Sequence, residues 1–206
     1  MALHVLAVAG SPRRHGNSET LLDRVIASMA AEEGIEVEKV ALSEVTVHPC
    51  KGCNACERLN RCVQRDDLDW LGQRLLDADC VLLSSPIYCM GICAQVKALI
   101  DRAQVFRSRK YVLKLPVVPQ ERKWKRLGCF ISTAGQKWDY VFDAAVPSVK
   151  CFYHVMDIRD SDIAYLMING VDLAGEVEKH PTALDEAEAL GKKLVIEMKE
   201  RFGDGS

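Results

Sequence analysis

Four cysteines close together, Cys50, Cys53, Cys56 and Cys62, are the residues of this chain best suited to metal or redox chemistry. Spacers of two, two and five residues put four thiolates on one compact loop. Cubane iron–sulfur clusters are bound this way: short spacers wrap three irons, and the fourth ligand comes from further along. Structural zinc more often uses two Cys-x-x-Cys knuckles separated by a longer gap. Zinc, or four free thiols, also fits the pattern. Gly52 permits a tight turn, and Lys51, Arg58 and Arg61 supply positive charge that favours thiolates and an anionic cluster.

A second stretch, Gly10-Ser-Pro-Arg-Arg-His-Gly-Asn-Ser-Glu-Thr20, has the composition of an anion-binding loop. It follows an apolar run of strand length, 3–9, and precedes Leu21, Leu22, Val25, Ile26 and Met29, which are apolar at helical spacing. At such a strand-to-helix turn the free backbone N–H groups and the helix dipole favour an anion. Ser11, Asn17, Ser18 and Thr20 add side-chain donors, and Arg13 or Arg14 adds charge. An ordinary helix cap at Asn17 or Ser18 would need neither the arginines nor both glycines. The P-loop is excluded, because five residues separate Gly10 from Gly16 and Asn17 stands where its lysine would be. The dinucleotide fingerprint is absent too. The anion expected is a monophosphate.

These loops must be held by the rest of the chain. Strands are predicted at 35–42, 80–84, 127–132 and 163–168, after the first at 3–9. Helices are predicted at 66–78, from Ile92 to Ala103, at 140–153, and after Thr182, with Thr182 and Asp185 as a weak capping box. Strands and helices alternate five times, which indicates a parallel doubly wound sheet. Ligands of such sheets bind beyond the carboxyl ends of the strands. Three loops lie there: the Gly10 loop, the loop 85–91, and Thr133-Ala134-Gly135-Gln136 with Trp138 and Tyr140 after it. Pro86 and Tyr88 offer apolar and aromatic surface to a flat ring, and Gly91 and Gly135 allow backbone N–H groups to approach it.

At 206 residues and 49% hydrophobic content the chain reads as one globular domain, 1–206. It carries a cysteine-rich loop at about 48–65 and a basic insertion at about 107–126. The formal charge of −2 argues against general nucleic-acid binding. No apolar run approaches membrane-spanning length, and the N-terminus lacks the basic region of a signal peptide. Nine cysteines without an export signal suggest metal or redox chemistry in a reducing cytoplasm. Cys80, Cys129 and Cys151 are expected in the core, and packing is the expected role of Cys89 and Cys93. Asp66 and Asp67 read as the first turn of a helix, where the dipole favours acids. The insertion holds Arg107, Arg109, Lys110, Lys114, Arg122, Lys123, Lys125 and Arg126 against one acid, Glu121. It is read as a solvated loop, a docking surface for an acidic electron donor, or an arm to a neighbouring subunit.

The stretches Gly10-Ser-Pro-Arg-x-x-Gly-Asn-Ser18, Ser85-Pro-Ile-Tyr88 and Ala94-Gln-Val-Lys-Ala-Leu-Ile-Asp-Arg102 resemble the NADPH-dependent FMN reductase group of flavodoxin-like proteins. The similarity spans nearly the whole chain. It implies a five-stranded parallel sheet in the order 2-1-3-4-5 with helices on both faces. It implies FMN, with the phosphate at Ser11, Arg13, Asn17 and Ser18. The isoalloxazine would lie against Pro86, Ile87, Tyr88, Cys89, Met90 and Gly91 and against Thr133, Ala134 and Gly135. Position 89, often aromatic in relatives, is cysteine here. With its cysteine run the chain looks like the iron–sulfur flavoproteins, a branch of the same family. That implies a [4Fe–4S] cluster on Cys50, Cys53, Cys56 and Cys62 exchanging electrons with FMN. It also implies a homodimer or homotetramer with cofactors paired across a subunit interface, and a donor such as ferredoxin. The alternative is an NAD(P)H-dependent FMN or quinone reductase whose cysteine loop is empty or holds zinc.

Overall fold

Residues 3–9 place Val5, Ala7 and Ala9 on one side and Leu6 and Val8 on the other, and both sets are buried. A strand apolar on both faces belongs in the middle of a sheet covered on both sides. The computed structural model, which describes residues 2–203, has that arrangement. In chain order the elements are β1 (Leu3–Ala9), α1 (Asn17–Ala30), β2 (Ile35–Ala41), α2 (Cys56–Leu59), α3 (Leu68–Asp77), β3 (Cys80–Tyr88), β4 (Gly91–Ile92), α4 (Ala94–Arg102) and α5 (Gln104–Arg107). A π turn (Ser108–Val112), β5 (Leu127–Ala134), α6 (Val146–Val155), β6 (Ile163–Asn169) and α7 (Ala183–Phe202) follow.

Strands β2-β1-β3-β5-β6 pair in that order, all parallel, and β4 folds back antiparallel onto the end of β3. With β4 set aside this is the expected flavodoxin-like order. Helices α1 and α7 cover one face through Leu21, Leu22, Val25, Leu194 and Val195. Helices α3, α4 and α6 cover the other through Leu71, Leu75, Val96, Leu99, Val149 and Phe152. Ala9 of β1, Ser84 of β3 and Ile131 of β5 are in register, so the chain leaves these strands at one edge. Gly10 can only be glycine there: a Cβ would stand 2.3 Å from the Ser84 carbonyl oxygen and 2.1 Å from a Val96 methyl. Among the described residues no helix is long and apolar enough to cross a membrane.

Several local expectations are corrected. The expected loop 85–91 is largely strand, because Ile87 and Tyr88 gain partners in Ile92 and Gly91, and Ile92 thereby leaves the helix assigned to it. Helix α6 begins at Val146 rather than 140; the turn before it packs Val141 and Phe142 on Ala134. The capping box at α7 does not form. Thr182 makes no cap to the backbone, and its hydroxyl donates to Glu186 at 2.6 Å. Cys80 and Cys129 are buried as expected, and burial pushes the Cys129 thiol up to about 12. Cys151 is exposed instead, since α6 turns Val149, Phe152 and Tyr153 inward.

The basic insertion is not a free loop. Arg126 is fully buried and donates to the carbonyls of Ala78 (2.7 Å), Met156 (2.9 Å) and Leu75. It thus satisfies carbonyls at the C-terminal ends of α3 and α6, and burial lowers its pKa to about 10. Arg122 pairs with Asp79 at 2.8 Å, and Lys110 with Asp157 at 2.7 Å. These three cations hold the segment to the domain and are not available as a docking surface.

Candidate functional site

Two hollows are built on this frame. The first is a cleft at the carboxyl edge. Ser11, Arg13, Asn17 and Ser18 line it from the Gly10 loop, Pro86, Ile87 and Tyr88 from the end of β3, and Thr133 and Gly135 from the end of β5. Its enclosed volume is about 50 Å³. That exceeds the roughly 30 Å³ share of one water and suits a phosphate group; a planar ring would lie across the open lip. Four sequence-named residues stand outside the enclosed part. Cys89 and Met90 form the hairpin turn with positive φ, Gly91 pairs in β4, and Ala134 is buried against Val141 and Phe142.

The loop's charges are sorted by Glu19. This carboxylate is buried and accepts from the His15 backbone N–H at 2.6 Å and from Arg14 at 3.1 Å; Lys39 lies 2.7 Å away. Arg14 also pairs with Glu44. Arg13 has no ion-pair partner among the described residues, and its backbone N–H donates to Ser11 Oγ at 3.1 Å. So Arg13, not Arg14, is left for a ligand. Helix α1 has Gly16 at its N-cap and so no side-chain cap, and the Asn17 side chain is otherwise engaged: it donates to the Leu173 carbonyl at 3.0 Å and accepts from Val177 N–H at 3.4 Å. An uncapped helix start beside an unpaired arginine fits a phosphate.

Burial alone would raise the Glu19 pKa, but hydrogen bonds from Lys39, Arg14 and His15 outweigh it and hold it at about 2, against an ordinary 4.5. A depressed carboxylate stabilises the fold above its unfolded pKa, and that contribution is lost as pH falls through the folded one. The stability advantage of wild type over Glu19→Gln, on the order of 2 kcal/mol after solvent screening of the partners, should therefore hold above pH 4.5 and shrink toward pH 2. Urea unfolding of both proteins across that range checks it; a pH-independent difference contradicts it.

A fourth loop also lines the cleft, through Val171, Asp172 and Ala174. Sequence reasoning missed it, although Asn169-Gly170 after the last strand is a turn signal. The Asp172 carboxyl packs where a Gly135 Cβ would be, 2.9 Å from it. Nearby, Trp138 and Tyr140 are exposed and stacked, with centroids 5.7 Å apart and 13° between planes. Cys93 is buried at the start of α4. Its thiol donates to the Gly10 carbonyl at 3.0 Å, and its N–H donates to Ser85 Oγ at 3.1 Å, so it ties the Gly10 loop to β3.

The second hollow, about 370 Å³, is lined by all four loop cysteines and by Arg102, Gln104 and Ser108 of the helical run after α4 begins. Cys50 and Cys53 are exposed, Cys56 and Cys62 half-buried. Asp66 and Asp67 precede α3 rather than forming its first turn, and they clamp the ends of the loop. Asp66 accepts from Arg102 at 2.6 and 3.0 Å and from His48 N–H at 3.0 Å, while Arg102 also donates to the His48 carbonyl at 2.8 Å. Asp67 accepts from Thr46 N–H at 2.7 Å. Burial opposes the Asp66 charge, yet Arg102 and His48 hold its carboxyl below the usual range. Sequence reasoning missed Arg102 here, because its partner is 36 residues away.

The donor set fits an iron–sulfur cluster: four soft sulfur donors in one hollow, a Gly52 N–H directed at Cys50 Sγ (3.5 Å), and a guanidinium beside Cys62. The four share the hollow without being drawn together. Among the described residues, no three His, Cys, Asp or Glu side chains are grouped to hold one metal ion.

The family model for NADPH-dependent FMN reductase matches residues 3–146. The chain is 41% identical over 105 residues to an iron–sulfur flavoprotein of Methanocaldococcus jannaschii, covering 51% of this chain and 54% of that protein. It is 39% identical over 107 residues to one of Archaeoglobus fulgidus, covering 52% and 48%. In these matches the chain spans about half the length of the relative. A further iron–sulfur flavoprotein of Archaeoglobus fulgidus is 29% identical over 194 residues, 94% of each chain. Among solved structures, an NAD(P)H:quinone oxidoreductase from Methanothermobacter marburgensis superposes with a TM-score of 0.70 at 15% identity, over 94% of this chain and 98% of that one. At that identity the likeness shows the fold alone. The family match extends from β1 to the start of α6 and so takes in the Gly10 loop, the β3 end and the β5 end: the chain belongs to the NADPH-dependent FMN reductase family.

Proposed function

We infer that this chain, a flavin-dependent oxidoreductase by its family, binds FMN in the edge cleft and a [4Fe–4S] cluster in the cysteine hollow. It passes electrons between a small acidic redox protein such as ferredoxin and an acceptor still to be identified. The observation that carries this reading is the hollow itself, because all four cysteines of the run line one cavity separate from the cleft. When bound, FMN exchanges one or two electrons and the cluster one. The chain's own residues bind and orient. Arg13, Ser11 and the start of α1 would hold the phosphate, Pro86 to Tyr88 and Thr133 would flank the ring, and Cys50, Cys53, Cys56 and Cys62 would hold the cluster. No side chain is assigned a proton-transfer step.

Helix α4 separates the two places. Cys93 at its start touches the Gly10 loop, and Arg102 at its end lines the cysteine hollow. Nine residues at 1.5 Å rise put about 14 Å between them. A homo-oligomer in which the hollow of one chain faces the flavin of another would bring the two closer. Exposed Lys51 and Arg61 on the cysteine loop suit an acidic partner. The stacked Trp138–Tyr140 pair favours a second reading, an NAD(P)H-dependent FMN or quinone reductase with a zinc-filled or empty loop, since it offers a platform to a flat substrate. An anaerobic absorbance spectrum with iron, sulfide and zinc counts separates them. Flavin bands with a broad iron–sulfur shoulder and about four irons per chain are expected; zinc without sulfide would select the reductase.

A further inference from the structure

Ser108 opens the π turn that follows α5. Such turns interrupt helices where side chains are re-aimed, often at functional sites. The residue is 1% exposed. A hydroxyl so buried needs a partner, and among the described residues the one recorded for Ser108 Oγ is Cys56 Sγ, at 3.2 Å. Cys56 Sγ lies 3.9 Å from the Gln104 carbonyl as well. Arg102, on the preceding helix, adjoins Cys62 and anchors Asp66. The two half-buried cysteines therefore rest on one helical run, while Cys50 and Cys53 face solvent.

We propose that Ser108 is a positioning residue of the cysteine site: its buried hydroxyl draws Cys56 Sγ inward and, once that sulfur is a metal-bound thiolate, donates a hydrogen bond to it. The cluster part of this rests on the reading above; the positioning of Cys56 does not. A thiolate only accepts, so in the loaded site the hydroxyl is the donor. A hydrogen bond to a ligating sulfur favours the reduced cluster, which carries one more negative charge. Losing it shifts the one-electron equilibrium toward the oxidised form by roughly three- to tenfold, where tenfold corresponds to about 59 mV.

The test compares wild type, Ser108→Ala and Ser108→Thr. In the protein as purified, without added iron, each thiol's alkylation rate is read by peptide mapping. After anaerobic reconstitution, cluster and flavin midpoints are measured in the same sample, with iron counts and FMN content as controls. Cys56 should react more slowly than Cys50 and Cys53 in wild type, and severalfold faster in Ser108→Ala, with Cys50 and Cys53 unchanged. The cluster midpoint should fall in Ser108→Ala, the flavin midpoint should hold, and Ser108→Thr should keep both near wild type. Equal Cys56 reactivity in wild type and Ser108→Ala, or an unmoved cluster midpoint at full iron content, overturns the proposal. If wild type assembles no cluster, the iron–sulfur reading fails separately, and the alkylation ranking alone decides the role of Ser108.

Discussion

In the Cys53→Ser variant, anaerobic reconstitution with iron and sulfide should leave little or no stable cluster, while FMN content stays at the wild-type level. Cys53 is exposed, on a turn where Gly52 and Asn54 have φ of +63° and +55°. Serine there removes one sulfur ligand without opening a cavity or stranding a buried group. The unloaded fold should therefore keep its stability within about 0.5 kcal/mol. The flavin should remain because its cleft is built from other loops, on Ser11, Arg13 and the strand ends. Iron and sulfide counts with EPR of the reduced protein read the first half; FMN fluorescence after denaturation reads the second. Electron delivery from a one-electron donor should slow, and two-electron reduction of the flavin should persist. A variant with full iron and a wild-type EPR signal removes Cys53 from the ligand set. Wild type that takes up zinc tightly, assembles no cluster and turns over with NAD(P)H removes the cluster altogether.

The second large effect is expected at the phosphate end. Arg13→Ala combined with Ser11→Ala should weaken FMN binding by about 3–4 kcal/mol, the worth of two hydrogen bonds to a charged group, or roughly two to three powers of ten in Kd. The pair acts together, since Ser11 Oγ accepts the Arg13 N–H and so shapes the turn that presents the guanidinium. Arg14→Ala is the control. Its side chain is engaged by Glu19 and Glu44, so its loss should cost FMN affinity about tenfold or less, within the range of a half-exposed ion pair and a loosened loop. Titration of apo-protein with FMN, followed by flavin fluorescence quenching, ranks the three. Equal affinities in the double variant and wild type, or a larger loss in Arg14→Ala, would move the phosphate elsewhere.

Much of the cysteine loop was legible because its signal is a spacing, and spacing survives any tertiary arrangement. The hollow's other wall was not. Arg102 lies in a stretch that reads as ordinary amphipathic helix, and Ser108 lies in a segment whose charge suggested a solvated loop. Only the fold shows that both face the cysteines. The basic segment misled for a related reason. A count of cations says nothing of where they point, and Arg126, Arg122 and Lys110 point at carbonyls and carboxylates of the domain itself.

By itself the amino-acid sequence determined the strand and helix alternation, the donor-rich, basic composition of the Gly10 loop and the grouping of four thiols. Each depends on residues within a few positions of one another: an apolar period, a run of small polar and basic residues before a helix, a ligand spacer. The tertiary structure alone decided which arginine is left for the anion, because Glu19, Glu44 and Lys39 meet only when α1 packs beside β2. It alone brought Asp172 into the cleft, carried β3 on through Ser85 and Pro86 by pairing them with β5, and closed the cysteine loop with Asp66 and Arg102. Those outcomes are set by partners dozens of residues away, where the energy of a buried hydrogen bond or ion pair outweighs local preference, and no window along the chain contains both sides of such a contact.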